Sequence, residues 1–201
     1  MNLVGAVERS KQLASWIGER VENLELPHDP KYHVPAICFH VGLTHHTAII
    51  ALLGQRRFVS ALALLRPLME SYLRGAWVYH VANSQEIDRF VRGKIELKVH
   101  RIINDLERVE AFDQKRLSAI KLEVWSDLCD YTHCGGKTIF AHYGGDEIRP
   151  VYDHDWLCRA LVSADSWALL SGLATVLVAG RTDLGGEFLE KSTTLANSET
   201  V

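Results

Sequence analysis

Apolar residues recur at steps of three and four along most of the chain, the spacing of helices that each bury one face. Val4, Val7, Leu13, Trp16, Ile17 and Val21 define a first helix over 4–21. The stretch Glu25–His33 holds Pro27 and Pro30 and reads as a loop. Pro35 stands where a first helical turn tolerates proline, and it opens a second helix running to about Gly54. The strongest pattern is Arg57–Val81, where Phe58, Leu62, Leu65, Met69, Leu73 and Ala76 share one stripe. Pro67 interrupts that helix, removing one backbone hydrogen bond and crowding the Ala63 carbonyl, which predicts a kink.

Ser84 is the expected N-cap of a fourth helix over 85–109, with Glu86 and Asp88 in its first turn. A fifth begins at Asp113 and runs to His133, ending at Cys134-Gly135-Gly136, which reads as a glycine C-cap. Thr138–Tyr152 alone looks β-like, as a small hairpin or an irregular loop. Asp155 is the expected cap of a sixth helix, Trp156–Arg181, apolar nearly all round and therefore central. A short helix follows over 184–191, and 192–201 reads as a polar, disordered tail. These patterns predict an all-α fold: one bundle of five to six long helices over 1–191, with the insertion near 138–152.

Composition agrees with a folded domain: 201 residues, 47% hydrophobic and 23% charged. The net charge of −3 argues against a strongly basic nucleic-acid coat or a polybasic membrane anchor, but leaves room for a local basic patch. The four cysteines form no C-x-x-C pair, and an acidic residue at Glu8 breaks any leader-like start. Ser166–Gly180 is shorter than the span a membrane helix needs, and Ile37–Leu53 carries three histidines. The expectation is a reduced, cytoplasmic protein without membrane contact. A helix set this apolar leaves a face uncovered, which predicts a homodimer.

Candidate chemistry lies in two places. Arg66, Glu70 and Arg74 are four apart, in a row on one flank of the third helix beside its apolar stripe. Such a row can form a partly desolvated cluster that binds an anion; the blander alternative is a surface ladder of ion pairs. The second is Asp130-Tyr131-Thr132-His133-Cys134-Gly135-Gly136, where an imidazole sits at a helix end beside two glycines that let backbone approach a ligand. The alternative there is a C-cap with a stabilising histidine. Ten histidines are present, but no H-x-x-x-H occurs and neither H-x-x-x-H nor E-x-x-H falls within a predicted helix, so no metal or other cofactor is expected. Signatures of P-loop, Rossmann and α/β-hydrolase chemistry are absent from the sequence.

The run Ala61–Tyr72, with its R-P-x-x-E, followed by the later Y-x-H-x-G-G, resembles a group of uncharacterised bacterial all-helical proteins over about Val34 to His133. That group is distantly similar to the HEPN superfamily (higher eukaryotes and prokaryotes nucleotide-binding). Its members are helical bundles, often dimers, and many are metal-independent endoribonucleases of toxin–antitoxin and phage-defence systems. The family's catalytic arginine and histidine stand four to six residues apart and act on the RNA phosphate and 2′-hydroxyl across a dimer interface. Arg74-Gly-Ala-Trp-Val-Tyr-His80 matches that spacing. It departs from the pattern in the glycine after Arg74, in lying early in the chain, and in a six-residue step that turns the two side chains about 120° apart.

Three readings follow. In the first, Arg66, Glu70, Arg74 and His133 converge on an anionic or RNA ligand, with Glu70, Arg74 and His133 catalytic and Arg66, Tyr131, Gly135 and Gly136 binding it. In the second, the chain is a non-catalytic, antitoxin-like or structural partner-binding bundle. In the third, its histidines serve a metal-dependent hydrolase. An Arg66–Glu70 pair buried beneath His133 would favour the first.

Overall fold

A computed structural model describes residues 2–144, 147–148 and 151–198. Among the described residues the regular elements are helices apart from one minimal ladder. Its elements are α1 (Leu3–Val21), α2 (Pro30–Gly54), α3 (Phe58–Ala63), α4 (Leu65–His80), α5 (Ser84–Val91), α6 (Val99–Leu106), a 3-10 turn (Glu110–Phe112), α7 (Arg116–Thr132), α8 (Gly136–Phe140), β1 (Tyr143–Gly144), β2 (Glu147–Ile148), α9 (His154–Val178) and α10 (Thr182–Ser198).

Several boundaries differ from the periodic reading, each for a local reason. The second helix starts at Pro30, not Pro35, because the Asp29 carboxylate caps the Lys31 N–H at 2.8 Å and Pro30 fills the first helical position. The predicted kink at Pro67 is a one-residue interruption: Leu64 N–H turns back to the Ala61 carbonyl, and a new helix starts at Leu65. Pro67 then occupies the first turn of α4, where its missing N–H costs least. The fourth helix is two. Asn83, not Ser84, caps α5 through a reciprocal box with Glu86. Gly93, at φ +65°, ends that run, and the chain re-enters helix only at Val99. Asp153, not Asp155, caps α9. In the predicted hairpin region α8 takes up residues 136–140, and the antiparallel pairing is confined to Tyr143 with Ile148 and Gly144 with Glu147. Residues 145–146 and 149–150 of that segment lie outside the described residues.

The sequence gives α10 an end at 191, but the helix continues to Ser198, because Leu195 packs into the satellite core of Leu13, Ile17, Ala168, Leu169, Val176 and Phe188. Residues 199–201 of the predicted tail lie outside the described residues.

Helix α9 is the axis of the molecule. It packs against α1, α2, α4 and α10, while α2 and α4 form the other main pairing. Gly75 allows that second contact: a Cβ there would stand 2.5 Å from Phe39 Cε1. By length and hydropathy α2 and α9 could each cross a membrane, α9 because it extends upstream of the short window through Asp165. In the bundle 61% of the α9 window and 33% of the α2 window are buried. Helices α6 and α7 close against α4 and leave an open space beside it.

Candidate functional site

The space beside α4 is a cavity of about 550 Å³, within the range of small-ligand sites. One wall is α4, presenting Arg66, Glu70 and Arg74. Opposite lie Ile95, Glu96, Leu97 and Lys98 from the segment between α5 and α6, then Val99 and His100 of α6. Phe90 of α5 and Lys121 and Trp125 of α7 complete it.

Glu70 organises the wall. Its Oε1 accepts from Arg66 Nε at 2.7 Å and its Oε2 from Arg74 Nη2 at 2.7 Å. The three side chains are only 23%, 12% and 34% exposed in chain order, so this is not the solvated ladder of an outer helix face. The helix supplies the spacing, since residues four apart lie one above the other.

From α7 comes the rest of Arg66's environment. Its guanidinium lies 4.7 Å from the Trp125 ring centroid, and its Nη1 donates to His133 Nε2 at 2.8 Å and to Cys129 Sγ at 3.6 Å. A guanidinium has only donors, so His133 Nε2 must accept, and the imidazole carries its proton on Nδ1. The four residues thus form a chain in space: Arg74, Glu70, Arg66, His133. His133 stands behind Arg66 and does not line the cavity.

Tyr131, Gly135 and Gly136 do not line it either. Tyr131 is core: its ring packs 5.1 Å from Trp156, and burial, then Asp127 and Asp130, push its hydroxyl pKa up. The end of α7 is capped by Cys134, which takes the left-handed conformation at φ +55° in place of the expected glycine. Gly135 N–H closes onto the Asp130 carbonyl at 2.7 Å, and a Cβ on Gly135 would collide with the Asp130 carboxylate. Asp130 also accepts from Lys137 N–H at 2.9 Å, so Gly135 serves a tight helix-to-helix turn. His80, the other half of the Arg74–His80 match, packs edge-on to Tyr79 and Phe112 away from the cavity. Burial lowers its pKa, with Lys31 adding to the effect.

Among the charged groups at the cavity, Arg66, Arg74, Lys98 and Lys121 outnumber Glu70 and Glu96, and this on a chain of net charge −3. A concave site with that imbalance attracts anions. Lys98, Lys121, Glu96 and His100 are absent from the helical reading that merged α5 with α6; Gly93 was the signal for the break. Among the described residues, no group of three or more His, Cys, Asp or Glu side chains is placed to hold a metal ion.

A second polar group lies deep in the bundle, where Ser10 of α1 and His46 of α2 both bond to Asp165 of α9, at 2.6 and 2.7 Å. Serine and imidazole each face the carboxylate rather than one another, so no nucleophile–base pair is formed. The signal for it in the sequence is the carboxylate at 165 interrupting an apolar run.

No curated protein matches the chain, and no solved structure does. A family model does, over residues 39–197, which takes in the α4 wall, the α5–α6 segment and α7. The chain therefore belongs to a family of unknown function, DUF6988.

Proposed function

We propose that the α4–α6–α7 cavity binds the phosphate groups of RNA or a similar nucleotide-like anion, and that the protein is a HEPN-like, metal-independent endoribonuclease acting as a cytoplasmic homodimer. The observation that carries this reading is the pair of half-buried arginines fixed on one carboxylate at the wall of a cavity that also holds Lys98 and Lys121. Among the described residues Arg74 has one ion pair, to Glu70, which leaves most of its donors for a ligand. Arg66 is held by Glu70, His133 and Trp125, which fixes its position before any ligand arrives. In this reading Glu70 and His133 are positioning residues, and the guanidiniums stabilise charge on the phosphate.

A second reading, binding without cleavage, draws support from His133: its Nε2 lone pair is engaged by Arg66 and is not free to take a proton. The test is incubation of labelled single-stranded RNA with purified protein in EDTA, followed by anisotropy and gel analysis, beside Arg74→Ala. The expected result is EDTA-resistant cleavage, with binding weakened roughly tenfold or more in the variant, the worth of one charge-assisted contact. Binding lost in Arg74→Ala without cleavage in the wild type would select the second reading. A folded wild type that does not bind RNA overturns the proposal.

A further inference from the structure

Three imidazoles stand near the arginine row, and the structure separates them by what each can reach. His80 packs edge-on against Tyr79 and Phe112 and does not line the cavity. His133 reaches the row but gives its Nε2 to Arg66 from outside the cavity. His100, which none of the motifs singles out, lines the cavity. It is exposed, and no described residue forms a hydrogen bond or ion pair with its ring.

Its neighbours suit an anion. Lys98, two residues before it, lines the same cavity and makes no ion pair among the described residues, and Lys121 faces in from α7 with only the Trp125 ring for a partner. The break between α5 and α6 is what brings Lys98 and His100 here. In the single continuous helix that the periodicity suggests, two residues apart would point to opposite sides. With Lys98 as the N-cap in extended conformation (ψ 137°) and His100 in the first turn, both line one space.

From this placement we infer that His100 is the imidazole that contacts the bound phosphate, while His133 holds Arg66 in position from behind. This rests on the anion-binding reading above and assigns a residue to it that neither the R-x5-H spacing nor the Y-x-H end contains.

The test uses the full chain and inorganic pyrophosphate as the probe. Calorimetry measures affinity for the wild type, His100→Gln, His133→Gln and Arg74→Ala, and the imidazole proton resonances are followed by NMR, with the His100 signal assigned from its variant. The expected result is a saturable shift of the His100 signal on adding pyrophosphate. His100→Gln should lose roughly tenfold in affinity, as expected for one hydrogen bond to a charged group. His133→Gln should keep most of it, because a glutamine carbonyl can still accept from Arg66. If pyrophosphate binds and Arg74→Ala abolishes that binding, but the His100 signal and the His100→Gln affinity do not change, the assignment to His100 is overturned and the anion site stands. If the folded wild type binds no pyrophosphate, the anion reading falls and the assignment with it.

Discussion

Glu70 shows how one residue decides the character of its neighbours. Two guanidiniums four residues to either side would repel each other's approach to the same cavity wall; a nearly buried carboxylate with one oxygen for each holds both there. Cys38 marks the other side of that wall, since Arg74 is close enough to pull its thiol pKa down, yet burial dominates and pushes it from 9.0 up to about 11. Tyr72, one face further into the core, is pushed from 10.0 to about 12 by burial alone. Both groups are neutral when protonated, and both keep their protons longer in the folded chain than in the unfolded one. Stability is therefore unaffected by them below pH 9, where both states are protonated. It falls as pH rises from about 9 through 12, where the unfolded chain ionises first. Thermal melts over pH 7 to 12 should show Tm declining from the lower edge of that window, and Cys38→Ser should delay the onset. A flat Tm up to pH 11 would contradict the burial of these two groups.

At the level of elements, the sequence shows most of the helices and few of their joints. Periodicity finds α1, α2, α4, α7 and α9 because each has an apolar stripe, and long helices carry many repeats of that signal. It misses the break at Gly93, because the apolar spacing continues across it and only a single glycine marks it, whereas Pro67 marks the interruption at Leu64. The site follows the same division. Arg66, Glu70 and Arg74 were legible since they share one helix, and their meeting with His133 depends on α7 packing beside α4, which no spacing encodes. Lys98, His100, Lys121 and Trp125 were not legible, because they come together only after the α5–α6 break. Helix contacts also depend on absences of side chain. At Gly75 an added Cβ would stand 2.5 to 2.9 Å from three atoms of the Phe39 ring, which is 1% exposed. Gly75→Ala is expected to cost about 1–3 kcal/mol by overpacking the α2–α4 contact, read as a lower urea midpoint. Leu43→Ala, on the same helix as Phe39 but only half-buried, should cost less.

Across the whole molecule, the cavity and the buried polar group are built from separate sets of residues. Asp165 joins three helices: its carboxylate takes Ser10 from α1 and His46 from α2 while belonging to α9, and all three side chains are buried, with His46 and Asp165 only 1% and 7% exposed. Removing one partner of such a group leaves the others buried without a bond, a costlier change than losing a surface pair. Asp165→Ala is thus expected to cost roughly 3–5 kcal/mol, the usual range for breaking a buried pair. Ser10→Ala should cost less, since His46 keeps its acceptor. None of Ser10, His46 or Asp165 lines the cavity or bonds to Arg66, Glu70, Arg74 or His133, so the two groups share no partner. Effects at sites without shared partners add. Asp165→Ala should therefore lower the unfolding midpoint while leaving pyrophosphate affinity unchanged below that midpoint, and Arg74→Ala should do the reverse. The double variant should show the two losses side by side. An affinity change in Asp165→Ala that survives correction for unfolded protein would mean that the α1–α2–α9 core sets the geometry of the α4 wall, and that stability and binding are one system in this fold.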